Sequence, residues 1–161
     1  MDDKQGVVTM NRLFNLLASV AIAALLGATG AHAAGSGGSD SQTNTSVAGY
    51  AAAKAAVDAG NYAKAINLLA AVVKTNAKSA DAWNLLGYSS RKLGQYDNAA
   101  KYYDAALRID PKHLGALEYQ GELYVETGQV PKAQANLARL QQLCGNCEEY
   151  GDLKQAIGGR S

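Results

Sequence analysis

Gly60, Gly94 and Gly128 are separated by 34 and 34 residues. Ala65, Ala99 and Ala133 repeat the interval, and Tyr62 and Tyr96 share one phase that Val130 continues. Three positions recurring at a single period in the 20–50 range imply stacked supersecondary units rather than one continuous pattern. The repeating region spans about residues 47–143 and divides into units of about 47–79, 80–113 and 114–143.

Within each unit the apolar residues recur at helical spacing, as in Tyr96, Ala99, Tyr103, Ala106 and Leu107. The pattern predicts helices near 47–59, 62–75, 80–93, 96–108, 114–127 and 130–143, and no strand. The recurrent glycines fall where helices end and a positive φ is easiest for glycine. Pro131 falls in the first turn of a helix, where its missing N–H costs nothing, and Pro111 stops one. Gly87, Ala99, Gly121 and Ala133 are small enough to let helices approach closely, with Trp83, Tyr103, Leu117 and Leu137 filling the space around them. A seventh helix over about 148–157 is expected as a cap: Glu148 and Glu149 suit its N-terminus, and Leu153, Ala156 and Ile157 give it an apolar side.

The middle unit reads Trp83-x2-Leu86-Gly87-x2-Ser90, then Gly94, Ala99-x3-Tyr103, Ala106 and Pro111. The third reads Leu117-x2-Gln120-Gly121-x2-Tyr124, Gly128, Ala133-x3-Leu137 and Leu140. This resembles the tetratricopeptide repeat, a helix–turn–helix unit of 34 residues. Ser90 stands where that family usually has Tyr, and Gln120 where it usually has Leu; the first unit is degenerate. The resemblance implies an all-α fold, a right-handed helical-repeat solenoid of about three units with a C-terminal capping helix. It also implies that one helix of each pair lines a concave groove with exposed side chains: Val47, Tyr50, Lys54 and Val57; Asp81, Asn84, Tyr88, Arg91 and Lys92; Gly115, Glu118, Glu122, Val125 and Glu126. The family's basic clamp for C-terminal carboxylates is not expected, because Gly115 and Tyr119 occupy two of its places beside acidic neighbours.

The partner-binding candidates are Tyr50, Lys54, Asn84, Tyr88, Arg91, Glu118 and Glu122. Tyr50 and Tyr88 suit an apolar or aromatic peptide side chain, and the amide of Asn84 suits a peptide backbone. Glu118 and Glu122 are i and i+4, so they point the same way and favour a basic partner; the competing reading is a solvated helix face.

Arg12, the uncharged run Leu13–Ala28 and Ala31-His32-Ala33 have the order of a secretory signal peptide, placing cleavage after Ala33 and the product in the periplasm or outside the cell. An uncleaved anchor is the alternative. Asp2 and Asp3 are unusual in such a leader, and Met10 offers a start without them. Residues 34–46, rich in Gly, Ser and Thr, are expected as a flexible leader, and 158–161 as a tail. With 15 Lys+Arg against 14 Asp+Glu, the chain has no field of one sign to hold nucleic acid or a membrane surface.

Cys144-Gly145-Asn146-Cys147 is the one chemically sharp motif. After export a disulfide is the default, pinning the turn before the cap. A redox pair is the alternative: a helix N-terminus after Cys147 lowers a thiol pKa, whereas Glu148 and Glu149 raise it. Zinc lacks ligands beyond Cys144, Cys147 and His113, which is itself expected as a surface turn residue. No nucleophile or phosphate-loop motif is present, so neither enzyme activity nor a cofactor or metal is expected. The expectation is a non-catalytic interaction module of the bacterial cell envelope, binding a peptide or partner protein in its groove. A thiol–disulfide protein and a self-assembling solenoid remain the alternatives, and the sequence leaves the oligomeric state open.

Overall fold

In a computed structural model, residues 38–159 are described. They form seven helices: α1 (Gly38–Asp58), α2 (Tyr62–Thr75), α3 (Ala80–Lys92), α4 (Tyr96–Ile109), α5 (Leu114–Glu126), α6 (Val130–Cys144) and α7 (Glu148–Gly158). There is no strand among the described residues. Six of the seven helices lie within a residue or two of their expected bounds. The exception is α1, which begins at Gly38 instead of Val47, so most of the expected flexible leader is helical. Once Ala53 and Ala56 pack into the core, each residue added upstream gains one backbone hydrogen bond for one residue fixed, and no proline interrupts the run. The expected export signal over 1–33 lies outside the described residues.

The 34-residue period is a period of chain reversals. Gly60, Gly94 and Gly128 all have φ between 71° and 75°. After each glycine, an N–H reaches back five residues: Asn61 to Ala56, Gln95 to Ser90 and Gln129 to Tyr124, at 2.8, 2.9 and 2.7 Å. This pairing satisfies carbonyls that the helix end would orphan, and it needs a left-handed residue at the turn. The second turn of each unit also repeats. Asn76 and Asp110 each accept the N–H two residues on. Ser79 and His113 then cap α3 and α5 by accepting from Ala82 and Ala116. His113 is thus an N-cap and not a bare turn residue. Its Nδ1 accepts from Ala116 at 3.1 Å, so Nε2 carries the proton and faces Asp81 at 3.0 Å. Cys147 occupies the same phase ahead of α7, which gives the cap the position of a first helix in a repeat unit.

The helices alternate between two layers. α1 touches α3, α3 touches α5 and α5 touches α7, whereas α2 does not contact α4 and α4 does not contact α6. A stack whose odd helices meet and whose even helices are spread must curve with the odd helices inside. Close approach depends on glycine at two points. A Cβ on Gly87 would lie 2.5 Å from the ring of Tyr103, which is fully buried, and one on Gly121 would lie 2.5 Å from Leu153 of α7. The core lies along the stack in three clusters, one around Ala53, Leu69 and Leu86, one around Ala99, Tyr103 and Leu123, and one around Leu117, Leu140 and Leu153. Gln120, unusual at its position, is buried in a polar seam. It donates to Asp104 at 2.7 Å and accepts from Asn136 at 3.1 Å, and Asn136 also donates to the Leu117 carbonyl.

Candidate functional site

The inner layer brings together five of the seven sequence candidates, Lys54 of α1 among them. Tyr88 and Arg91 project from adjacent turns of α3; Glu118 and Glu122 do so from α5. Tyr119, also on α5, completes the group. The rings of Tyr88 and Tyr119 lie 4.9 Å apart, and Tyr62 meets the other side of Tyr88 edge-on at 6.0 Å. Together with Lys54, Val57, Asp58 and Leu85, these two tyrosines line a cavity of about 240 Å³ on the concave side. Its walls are aromatic and aliphatic and its rim carries an opposite-charge pair, since Lys54 Nζ holds Asp58 at 2.9 Å. Burial raises the pKa of Tyr88 and pushes that of Tyr119 up to about 12, so both phenols keep their protons at neutral pH.

Arg91 does not present a free charge to the groove. Its side chain is buried, with Nη1 2.5 Å from Glu126 and Nη2 bonded to Glu122. The guanidinium also sits 5.6 Å from the centre of the Tyr88 ring and 5.9 Å from that of Tyr119. One cation is thus shared by two carboxylates and two rings, and it ties α3 to α5. The expectation of an exposed Arg91 fails because Glu122 and Glu126 are 31 and 35 residues away, one repeat less or plus a few positions, and reach it across the seam.

Asn84 and Glu118 are also buried where exposure was expected. Asn84 lies against Gly115, where a Cβ would stand 3.3 Å from its Nδ2, and its Oδ1 has no hydrogen-bond partner. It closes the α3–α5 seam instead of standing open to a ligand backbone. Glu118 is 6% exposed, which rules out the solvated-face reading for this residue. Burial, then the nearby Glu122, Asp152 and Glu149, push its pKa up to about 8 against the pull of Arg91. It is therefore mostly protonated at neutral pH. Tyr50 stands apart from the others. It lines a separate recess of about 190 Å³ with Val47, Val72, Asn76, Ser79 and Asp81.

Cys144 and Cys147 are joined as a disulfide in the turn between α6 and α7. That turn, together with Leu153 seated over Gly121, brings Glu149 and Asp152 of α7 to the end of the α5 face. No group of three or more His, Cys, Asp or Glu among the described residues is arranged to hold a metal ion. No described helix is long and apolar enough to cross a membrane.

Tyr119 is the site residue that the inner-face pattern left out. Its signal is a spacing: it lies 31 residues after Tyr88, as Glu122 lies 31 after Arg91.

The curved stack of helix pairs and its lined inner face define a helical-repeat protein. Two family models described as tetratricopeptide repeat match the chain, one over residues 50–113 and the other over 91–157. Together they run from 50 to 157, well over half of the sequence, and the chain belongs to the tetratricopeptide repeat family. A curated relative, the uncharacterized protein ycf37 of Guillardia theta, is 34% identical over 74 residues, which is 46% of this chain and 40% of that protein. The chain thus spans less than half the length of that relative. Among solved structures, the TPR domain of Arabidopsis OM64 superposes with a TM-score of 0.69 at 17% identity, over 74% of this chain and 99% of that one. The type III secretion chaperone SycD of Yersinia enterocolitica, in complex with a peptide of the translocator YopD, does so with a TM-score of 0.63 at 22% identity, over 78% and 92%.

Proposed function

We propose that this protein is a non-catalytic adaptor whose concave face, built by α1, α3 and α5, binds an extended segment of a partner protein. The observation that carries the reading is the cavity of about 240 Å³ between Tyr88 and Tyr119, walled by Val57 and Leu85. Its rings are held by packing and by Arg91, so an apolar side chain can enter with little ordering cost. Amphipathic tyrosines of this kind commonly anchor peptide segments. The likeness in fold to SycD, whose structure holds a peptide of YopD, supports the same use of this scaffold. The sequence pattern of residues 11–33 supports a cell-envelope location after export, and a disulfide at Cys144–Cys147 suits that oxidising setting.

The test is selection of random displayed peptides on the full chain, in parallel with a Tyr88→Ala/Tyr119→Ala variant. The reading expects sequences enriched on the wild type and lost on the variant. Enrichment that survives the double substitution removes the cavity from the site. The location is tested by fractionation of expressing cells and N-terminal sequencing: a periplasmic or secreted product beginning at Ala34 supports it, and a cytoplasmic product retaining the leader refutes it.

A further inference from the structure

One carboxyl on the inner face has no structural partner among the described residues. Glu118 is 6% exposed and makes no hydrogen bond or ion pair among the described residues. The cation nearest to it is already committed, because Arg91 holds Glu122 with one nitrogen and Glu126 with another. The side-chain atoms that are fully buried without a partner lie at Asn84, Ser89, Ser90, Arg91 and Tyr103, so the little surface Glu118 keeps includes its carboxyl; a carboxyl kept for structure alone would donate its proton to an acceptor or accept from a fixed donor. Neither is provided here. The groups that face it add to the imbalance: Glu122 from its own helix, and Glu149 and Asp152 from α7, against Arg91 alone from α3.

We infer that the end of the groove between α5 and α7, where Glu122, Glu149 and Asp152 add their negative charge to the surroundings of Glu118, receives a lysine or arginine side chain of the bound segment. This rests on the groove being a peptide site, and it names the chemistry of the partner. The fit is electrostatic. An ammonium or guanidinium supplies the donors that Glu118 lacks and offsets the excess negative charge in a setting less polar than water. Tyr119, next in sequence to Glu118, also walls the aromatic cavity, so an apolar residue of the same segment lies within reach of that cavity while the cation enters the acidic end. The α7 cap contributes two of the four carboxyls, and its position depends on Leu153 over Gly121.

Binding of this kind carries a proton signature. Glu118 is mostly protonated in the free protein at neutral pH, whereas the cation needs the carboxylate. Association therefore releases a proton, and affinity rises with pH up to about 8, while the ligand's lysine or arginine stays charged throughout.

The experiment uses the full chain, peptide libraries displayed at pH 8, and a Glu118→Gln/Asp152→Asn variant. The wild type is expected to select sequences with Lys or Arg at one fixed position, and the variant to lose that preference while retaining the apolar position. Calorimetry on one selected peptide, with its central lysine free or acetylated, is expected to show at least tenfold weaker binding when acetylated. It should also show roughly fiftyfold tighter binding of the free form at pH 8 than at pH 6, because the ionised fraction of Glu118 rises from about 1% to about half, a difference absent in the variant. Selection of sequences without a basic position overturns this inference and leaves the groove standing. Equal affinity for the acetylated peptide, or a pH slope that persists in the variant, also overturns it. Selection of no sequence at all overturns the groove reading and the inference with it.

Discussion

Arg91 offers a direct measure of how the inner face is built. Its side chain is 7% exposed, against 23% for Glu122 and 31% for Glu126, the two carboxylates it holds. Substituting Arg91→Met keeps the apolar stem and removes the charge. Removing one partner from a fully buried ion pair costs about 3–5 kcal/mol, because the other is left uncompensated. Here the carboxylates retain some water, which lowers the expectation to roughly 2–3 kcal/mol. For a domain of this size that corresponds to a fall in Tm of roughly 8–15 °C. Lys54 provides the contrast. It too holds a carboxylate, Asp58, at 2.9 Å, but the side chains are 59% and 61% exposed. An exposed i,i+4 pair contributes only about 0.3–0.5 kcal/mol, so Lys54→Met is expected to shift Tm by no more than about 3 °C. Thermal and urea unfolding of both variants, followed by circular dichroism at pH 7, makes the comparison. Adding Glu122→Gln and Glu126→Gln to Arg91→Met is expected to restore much of the lost stability, because the stranded charges are gone. Equal melting of the Arg91 and Lys54 variants, or no recovery in the triple variant, would refute the reasoning.

Three further outcomes follow from the same geometry. Glu118 holds its proton up to about pH 8 when folded, against an ordinary value near 4.5, so the folded state binds more protons between those limits. Its effect on stability therefore worsens as pH rises from about 4.5 to about 8, and Glu118→Gln should gain on the wild type over that range in urea midpoints, with a pH-independent difference as the refuting result. Gly121→Ala places a methyl 2.5 Å from Leu153 and should cost roughly 1–3 kcal/mol, with amide exchange accelerating first in α7; unchanged α7 protection would contradict the packing. Cys144→Ser/Cys147→Ser opens a four-residue loop and should cost at most about 2 kcal/mol in the chain-entropy model, read as a modest loss in Tm confined to oxidising conditions; a loss of the whole fold would show the staple to be essential.

Much of the architecture was legible because the repeat writes its punctuation at fixed positions. Gly60, Gly94 and Gly128 mark left-handed turns that few other residues make at low cost, and Pro131 marks a helix start. These are local requirements, visible in a local pattern. The start of α1 was not legible: Gly38–Ser46 carries no helical periodicity, and its helix is an extension of a nucleus packed further along. The candidate site was legible as a face and not as an interior. Helical phase correctly put Tyr88, Arg91, Glu118 and Glu122 on the same side of the stack. Whether each stood in water depended on partners one repeat away. Arg91 finds Glu122 and Glu126 at separations of 31 and 35, and Tyr88 finds Tyr119 at 31. Offsets of one period less three or plus one are where neighbouring inner helices meet, so a search for complementary pairs at those offsets would have found the buttress. His113 was misjudged for a simpler reason: a histidine can cap a helix through a neutral ring nitrogen, as Ser79 does with its hydroxyl one repeat earlier.

The central claim is that the inner face, from the Tyr88–Tyr119 cavity to the acidic end at Glu118, is the binding surface. The most direct measurement is amide shift mapping by NMR on the full chain as a selected peptide carrying a basic residue is added. The account predicts shifts concentrated at Leu85–Arg91 of α3, at Glu118–Glu122 of α5 and at Glu149–Asp152 of α7. Shifts concentrated instead on the outer helices, around Arg108 of α4 and Lys132 or Arg139 of α6, with the inner face silent, would contradict it.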